Sequence, residues 1–315
     1  MSSTTTRVRG RPASVDRSQV YLELTKPRIT MMVLLTVAVG FFCARPAATS
    51  PLALFHVLIG TALACSGSGA LNQYLEREVD GQMNRTRFRP LPSRRISSSA
   101  AMALGAVLAS SGVAYLALTV NLLSAALNAL TVVSYLFVYT PLKRVSPLST
   151  LAGAVPGALP PVIGWAAAGD SLGVGAAVLF GILFLWQVPH FLAIGWMYRE
   201  DYARGGLPML AVLDREGNVT ARQMIVYSLA LIPVSLCLTA SGVSGHFYFW
   251  CAAIAGTGYF AASVAAARAR TFAGARRLLL ASVLYLPALF GAIFLEKLVP
   301  AVLGQFAILF TSGVQ

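Results

Sequence analysis

Asn72-Gln73-Tyr74-Leu75-Glu76-Arg77-Glu78-Val79-Asp80-Gly81-Gln82-Met83-Asn84-Arg85-Thr86-Arg87-Phe88-Arg89-Pro90-Leu91-Pro92 lies between two long apolar runs and carries three of the eleven carboxylates of the chain. Asn72, Glu76 and Asp80 are spaced i, i+4, i+8, so a helix that continues past Asn72 puts them on one face. Arg85, Arg87 and Arg89 follow at once. Stacked carboxylates followed by guanidiniums suit Mg²⁺ plus a diphosphate. Mg²⁺ takes one or two carboxylates and completes its shell with water and phosphate oxygens. Arginine meets phosphate with planar, paired hydrogen bonds. Taken alone, the stretch also reads as a helix end laced with solvated i, i+4 ion pairs. In either reading its carboxylates, at the end of a span, are expected to face solvent.

Outward from this stretch the chain is greasy. Its 315 residues are 57% hydrophobic and 11% charged, against about 25% charged in a soluble domain. The apolar runs are long and do not alternate, which predicts an all-α polytopic membrane protein. Nine runs are long enough to span, with cores at 29–43, 52–72, 100–120, 122–139, 148–168, 172–198, 223–241, 247–267 and 278–295. Residues 1–20, polar and nearly free of acids, read as a mobile tail, with some likeness to an organellar transit segment. The spanning domain covers 21–298. Residues 299–315 are too short an apolar run to span, and Pro300 and Gly304 interrupt it, so they read as an interfacial tail.

A net charge of +13 would point to nucleic acid in a soluble protein. Here the basic residues sit between apolar runs, and no nucleic-acid role is expected. With the amino terminus in the cytoplasm, all of the 24 Lys and Arg except Arg45 and Lys297 fall on the inner side. This bias supports both the count of nine and the orientation. The four cysteines occur singly, so neither a zinc site nor a disulfide framework is indicated.

The second long inner connection begins Tyr198-Arg199-Glu200-Asp201-Tyr202-Ala203-Arg204 and again joins acids to arginines. Two such loops, four spans apart, suggest a repeated four-helix unit facing one shared cavity. No Asp, Glu, Lys or Arg lies within the span cores. Ion-coupled transporters usually keep one there, so the pattern weighs against transport and towards an enzyme with a polar substrate end at the surface.

Asn72-xxx-Glu76-xxx-Asp80 followed by Arg85-Thr86 and Arg89-Pro90-Leu91 resembles the first signature of the intramembrane aromatic prenyltransferases. Further pieces resemble the protohaem IX farnesyltransferase branch of that superfamily. They are Leu24-Thr25-Lys26-Pro27-Arg28, Tyr139-Thr140-Pro141-Leu142-Lys143-Arg144, Leu159-Pro160-Pro161, Trp186-Gln187-Val188-Pro189-His190-Phe191, and Tyr198-Arg199-Glu200-Asp201-Tyr202 through Gly206-Leu207-Pro208-Met209-Leu210. The likeness runs from about residue 24 to 295. It departs from the superfamily at the second signature, where a pair of Asp four apart is replaced by adjacent Glu200 and Asp201. Phe88 and Ser149 stand where the branch commonly has Asn, and neither is given a role.

The resemblance implies nine transmembrane helices in a bundle around a cavity open to the cytoplasmic side. It also implies transfer of a farnesyl group from farnesyl diphosphate to a vinyl group of haem b, with addition of water, giving haem O for terminal oxidase assembly. It implies Mg²⁺ as cofactor, the bacterial cytoplasmic membrane rather than the mitochondrial inner membrane as location, and a haem A synthase as a partner to test. It assigns Asn72, Glu76 and Asp80 to one Mg²⁺-diphosphate site and Asp201, helped by Glu200, to the facing one. Arg85 and Arg89 are expected on diphosphate oxygens, or on haem propionates. Lys26, Arg28, Lys143 and Arg144 are expected to bind either, or to anchor the inner face. The aromatic candidates for shielding an allylic cation are Tyr74, Tyr135, Tyr139, Trp186 and Tyr198. His190, about 12 Å in from Tyr198 along a helix, is expected either at the haem or in a structural hydrogen bond; His56 and His246 are read as structural. The competing readings are a prenyltransferase for another acceptor, such as a quinone precursor, and a small-molecule transporter.

Overall fold

The computed structural model describes residues 17–44, 50–169 and 171–312, with side chains up to 296. The tail residues before 17, Arg45, the side chain of Lys297 and residues 313–315 lie outside the described residues. The described residues form fourteen α-helices in order: α1 (Arg17–Thr25), α2 (Pro27–Ala44), α3 (Pro51–Gln82), α4 (Ser98–Thr119), α5 (Leu122–Val133), α6 (Thr140–Leu142), α7 (Ser149–Ala158), α8 (Pro160–Gly169), α9 (Val174–Met197), α10 (Arg199–Arg204), α11 (Leu210–Leu213), α12 (Asn218–Ala240), α13 (His246–Ala269) and α14 (Phe272–Ser312). A π-helical turn, Ser134–Tyr139, joins α5 to α6. No strand occurs among the described residues.

These helices make nine candidate spans among the described residues. Two spans are composite: Leu122–Leu142 runs through the π turn, and Ser149–Gly169 is broken where Pro160 interrupts it. The parse into nine therefore holds. Helix α1 takes up residues 17–20 of the stretch expected to be tail, with Val20 buried. The backbone of α14 stays helical through 299–312.

Local chemistry sets the boundaries. Ser50 accepts from the Ala53 amide and precedes Pro51 at the start of α3. Ser97 and Asn121 cap α4 and α5 in the same way. Where no capping side chain is adjacent, a distant carboxylate serves. Asp214 accepts from the Thr220 amide (2.7 Å) at the start of α12. Glu296, fifty residues on in the chain, accepts from Gly245 (2.6 Å) and Phe247 (3.1 Å) at the start of α13.

Two cores hold the bundle. One gathers Val37, Phe41, Val57, Leu116 and Ile163 from α2, α3, α4 and α8. The other gathers residues of α9, α12, α13 and α14, including Leu183, Leu231, Tyr259 and Leu289. Small residues allow the closest crossings, as expected where lipid removes any hydrophobic drive between helices. At the α2–α8 crossing, a Cβ on Gly40 would sit 1.8 Å from the Pro161 carbonyl oxygen, and one on Gly164 would sit 1.9 Å from that of Val37. The nine traverses put the long connections 83–97 and 198–217 at one end of the bundle, here called the charged end.

Candidate functional site

Helix α3 continues unbroken to Gln82, ten residues past Asn72, and carries Asn72, Glu76 and Asp80 on one face as the spacing predicts. The expectation that these groups face solvent is overturned. Their exposures are 3%, 5% and 0%, because each is covered by a cation brought from elsewhere. Lys26 Nζ donates to Asn72 Oδ1 (2.9 Å). Lys143 Nζ donates to Glu76 Oε1 (3.0 Å). Arg89 Nη1 donates to both Asp80 oxygens (2.9 and 2.8 Å). The Thr86 hydroxyl bonds the Asp80 carbonyl and holds the turn that carries Arg89. Buried charges persist only when paired in this way.

Lys26 reaches the cluster from a left-handed backbone position, φ 50°. Gln73 fixes that position by donating to the carbonyls of Glu23 (3.0 Å) and Leu24 (3.1 Å). On the surface an Arg95–Glu23 ion pair clips α1 to the 83–97 connection. Three cations meet two carboxylates here, so the cluster carries excess positive charge. Burial, with Arg89 and Lys143 close by, lowers the Lys26 ammonium to about 8. Burial would lower Lys143 also, but the neighbouring Tyr139 and Glu76 outweigh it and hold that ammonium above its ordinary value. The same residue caps an aromatic wall. The π turn stacks Tyr135 on Tyr139 (5.6 Å between ring centres), and Lys143 Nζ lies 5.9 Å from the Tyr139 ring.

A second cluster joins the two long connections. Asp201 of α10 is 5% exposed. It accepts from the backbone amides of Asn84 (2.8 Å) and Arg85 (3.2 Å) and from Arg204 (2.7 Å). Burial raises its carboxyl, and these donors more than reverse that, so it lies below the ordinary Asp range. The Arg85 guanidinium lies over Tyr198 (5.1 Å) and Tyr202 (5.8 Å). Asp201 thus also latches one loop onto the other, a role its sequence position did not reveal. Glu200 is exposed beside a cavity of about 470 Å³ at this end.

The third group lies deeper, on α9. His190 Nδ1 is 2.7 Å from the Ser282 hydroxyl of α14, and that hydroxyl donates to the Leu279 carbonyl. With its one proton spent, Ser282 must accept from His190, which places the imidazole proton on Nδ1 and leaves a lone pair on Nε2. Trp186 stacks on His190 (4.8 Å) and donates to the Ser282 carbonyl (2.8 Å). His56 is bonded to Tyr115 (2.7 Å).

Of the remaining expected residues, Arg144 bonds the Leu75 carbonyl beside the first cluster. Arg28 is exposed on the first turn of α2 and forms no ion pair among the described residues. Sequence reasoning missed Thr140, which accepts from Asn72 (3.3 Å), and Arg270 and Phe272, which line the cavity. The only signal at Arg270 was a basic residue between two spans, which reads as an anchor.

A family model described as the UbiA prenyltransferase family matches residues 33–286. The chain belongs to the UbiA prenyltransferase family. A relative from Solibacter usitatus named protoheme IX farnesyltransferase is 49% identical over 286 residues, covering 88% of this chain and 98% of its own. Another with the same name, from Koribacter versatilis, is 41% identical over 297 residues, covering 91% and 96%. Among solved structures, a UbiA homologue from Archaeoglobus fulgidus bound to GPP and Mg²⁺ shares the fold, with a TM-score of 0.62 at 17% identity, covering 87% of this chain and 99% of that one. The family and the nine apolar helices make the chain a multi-pass integral membrane protein.

Whether the cluster suits the Mg²⁺ bound in that homologue is a matter of donors. Asn72, Glu76 and Asp80 offer only oxygen, which suits Mg²⁺, and their two carboxylates match the one or two it commonly takes. Among the described residues no three His, Cys, Asp or Glu close on one point. Any metal held there would draw its remaining ligands from outside these side chains.

Proposed function

We propose that the protein transfers the farnesyl group of farnesyl diphosphate to a vinyl group of haem b, with addition of water, to give haem O. The observation that carries this is the buried cluster of Lys26, Asn72, Glu76, Asp80, Arg89 and Lys143, an anion site with oxygen ligands at its base. The acceptor is supported by relatives named for protohaem. The charged end is assigned to the cytoplasm, where the positive-inside bias puts it.

In this reading Lys26, Lys143 and Arg89 bind the diphosphate. They also stabilise the charge that develops on it as the allylic carbon–oxygen bond breaks. Asn72, Glu76 and Asp80, with Asp201 and Glu200 of the second connection, would hold Mg²⁺, which when bound would add to the neutralisation of that charge. The stacked Tyr135 and Tyr139 present aromatic faces to the allylic cation and help exclude water. The vinyl carbon attacks, and the cation left beside the macrocycle takes up water and releases a proton. His190, with Nε2 carrying its lone pair, is assigned to the haem site.

The test is direct. Purified protein with haem b, farnesyl diphosphate and Mg²⁺ should yield a product with the mass of hydroxyethylfarnesyl haem. Prenylation of a quinone precursor in place of haem would overturn the assignment of acceptor.

A further inference from the structure

The cavity beside Asp201 is separate from the Asp80 cluster, and its lining has a composition of its own. Arg85, Arg199, Arg204 and Arg270 border it, with Trp196, Tyr198 and Phe272 as flat apolar walls. Its acids are Glu200 and Asp201. Asp201 accepts from Arg204 and two backbone amides. The other three guanidiniums have no carboxylate partner among the described residues. Arg199 lies over Trp196 (5.2 Å), Arg85 lies over Tyr198, and Arg270 bonds the Glu216 carbonyl (2.8 Å). Only these two acids stand against four guanidiniums, so the cavity is short of about two negative charges. Guanidiniums laid on rings keep their edges free for paired bonds to carboxylate.

The position in the fold is equally specific. α9 ends and α14 begins at this cavity, and inward from it the two helices pack together as far as the His190–Ser282 bond. His190 lies seven residues before Met197, about 10 Å deeper along α9. We propose that this cavity takes the two carboxylates of the acceptor, a flat apolar macrocycle whose body lies against Trp196, Tyr198 and Phe272, while the diphosphate occupies the Asp80 cluster. The assignment rests on the haem reading above and adds Arg199 and Arg270 to it as specificity residues.

Binding of haem b and of its dimethyl ester, each followed by absorbance, tests this. Farnesyl diphosphate binding serves as the fold control. The wild-type protein should bind the free acid about 10- to 100-fold more tightly than the ester, as expected for losing charge-assisted hydrogen bonds. Arg199→Gln with Arg270→Gln should abolish that preference and leave farnesyl diphosphate affinity within about twofold. A preference that persists in the double variant, or a wild type that prenylates haem without any preference, overturns the cavity assignment alone. If neither form binds and no farnesylated haem appears, the functional reading falls and takes the cavity with it. Should the double variant also lose farnesyl diphosphate, Arg270→Lys decides, since it keeps the charge but not the planar fork. Weaker haem binding with the ester unaffected supports the assignment, and unchanged haem binding overturns it.

Discussion

Asp201→Asn separates the loop-latching role of this residue from any role towards metal. Its two oxygens share three donors: Oδ1 takes Asn84 N–H and Arg204, and Oδ2 takes Arg85 N–H. An asparagine keeps one acceptor oxygen and turns an NH₂ towards donors, so at least one backbone bond is lost and the Arg204 bond loses its charge. Hydrogen bonds to a charged group contribute about 1.5–3 kcal/mol each. Losing one and weakening another shifts the docking equilibrium of the two connections by about 3 kcal/mol, or roughly a hundredfold. Hydrogen exchange at the Asn84 and Arg85 amides should quicken by that factor, while amides in the middle of α3 stay protected. A variant that loses turnover but exchanges at the wild-type rate at Asn84 and Arg85 would refute the latch. Acid should mimic the substitution. The Asp201 carboxyl lies below its ordinary value, so its contribution is complete above about pH 4 and vanishes as pH falls through the depressed value.

Lys143→Met leaves the Glu76 carboxylate buried without its cation and should cost about 3–5 kcal/mol, with most of the loss recovered by adding Glu76→Gln; thermal unfolding in detergent reads both, and no recovery would mean the pair is not coupled. Because the Lys26 ammonium lies near 8, affinity for farnesyl diphosphate should decline as pH rises through that value, and Lys26→Met should bind more weakly with a flat profile; a pH dependence that survives the substitution would assign the proton elsewhere. Gly40→Leu should prevent folding, since its Cβ alone would sit 1.8 Å from the Pro161 oxygen, whereas Gly291→Ala meets nothing within 4 Å and should match or slightly exceed wild-type stability in the same melt.

The spans and the face shared by Asn72, Glu76 and Asp80 were legible because helical period and apolar length are local properties of a sequence. The partners of those residues were not. Lys26 and Lys143 lie 46 and 67 positions from the groups they bond, and nothing in the local pattern says which cation will cover which acid. That pairing is also why solvent-facing carboxylates were expected and buried ones found. The resemblance assigns Asp201, with Glu200, to a metal, and the latch it also forms was not visible in the sequence. Its bonds to Asn84 and Arg85 arise from two loops 117 and 116 residues apart. The cap that Glu296 gives α13, 51 positions from Gly245, escaped notice for the same reason.

The broken span Ser149–Gly169 has a consequence for how such a catalyst can change. Before the break, α7 packs against α9; after it, α8 packs against α2 and α5. The break at Pro160 is therefore the joint between two modules. The helices with α2 and α3 carry the donor chemistry of Lys26, Glu76 and Asp80, and those with α9 and α14 carry His190, Ser282 and Arg270. The core of α9, α12, α13 and α14 also takes Val39 and Cys43 of α2, but Lys26, Glu76, Asp80, Arg89 and Lys143 lie outside it, so residues along the α9–α14 interface can be exchanged without touching the diphosphate site. A new acceptor specificity is then within reach of a few substitutions in one module, with the ionisation step inherited whole from the other.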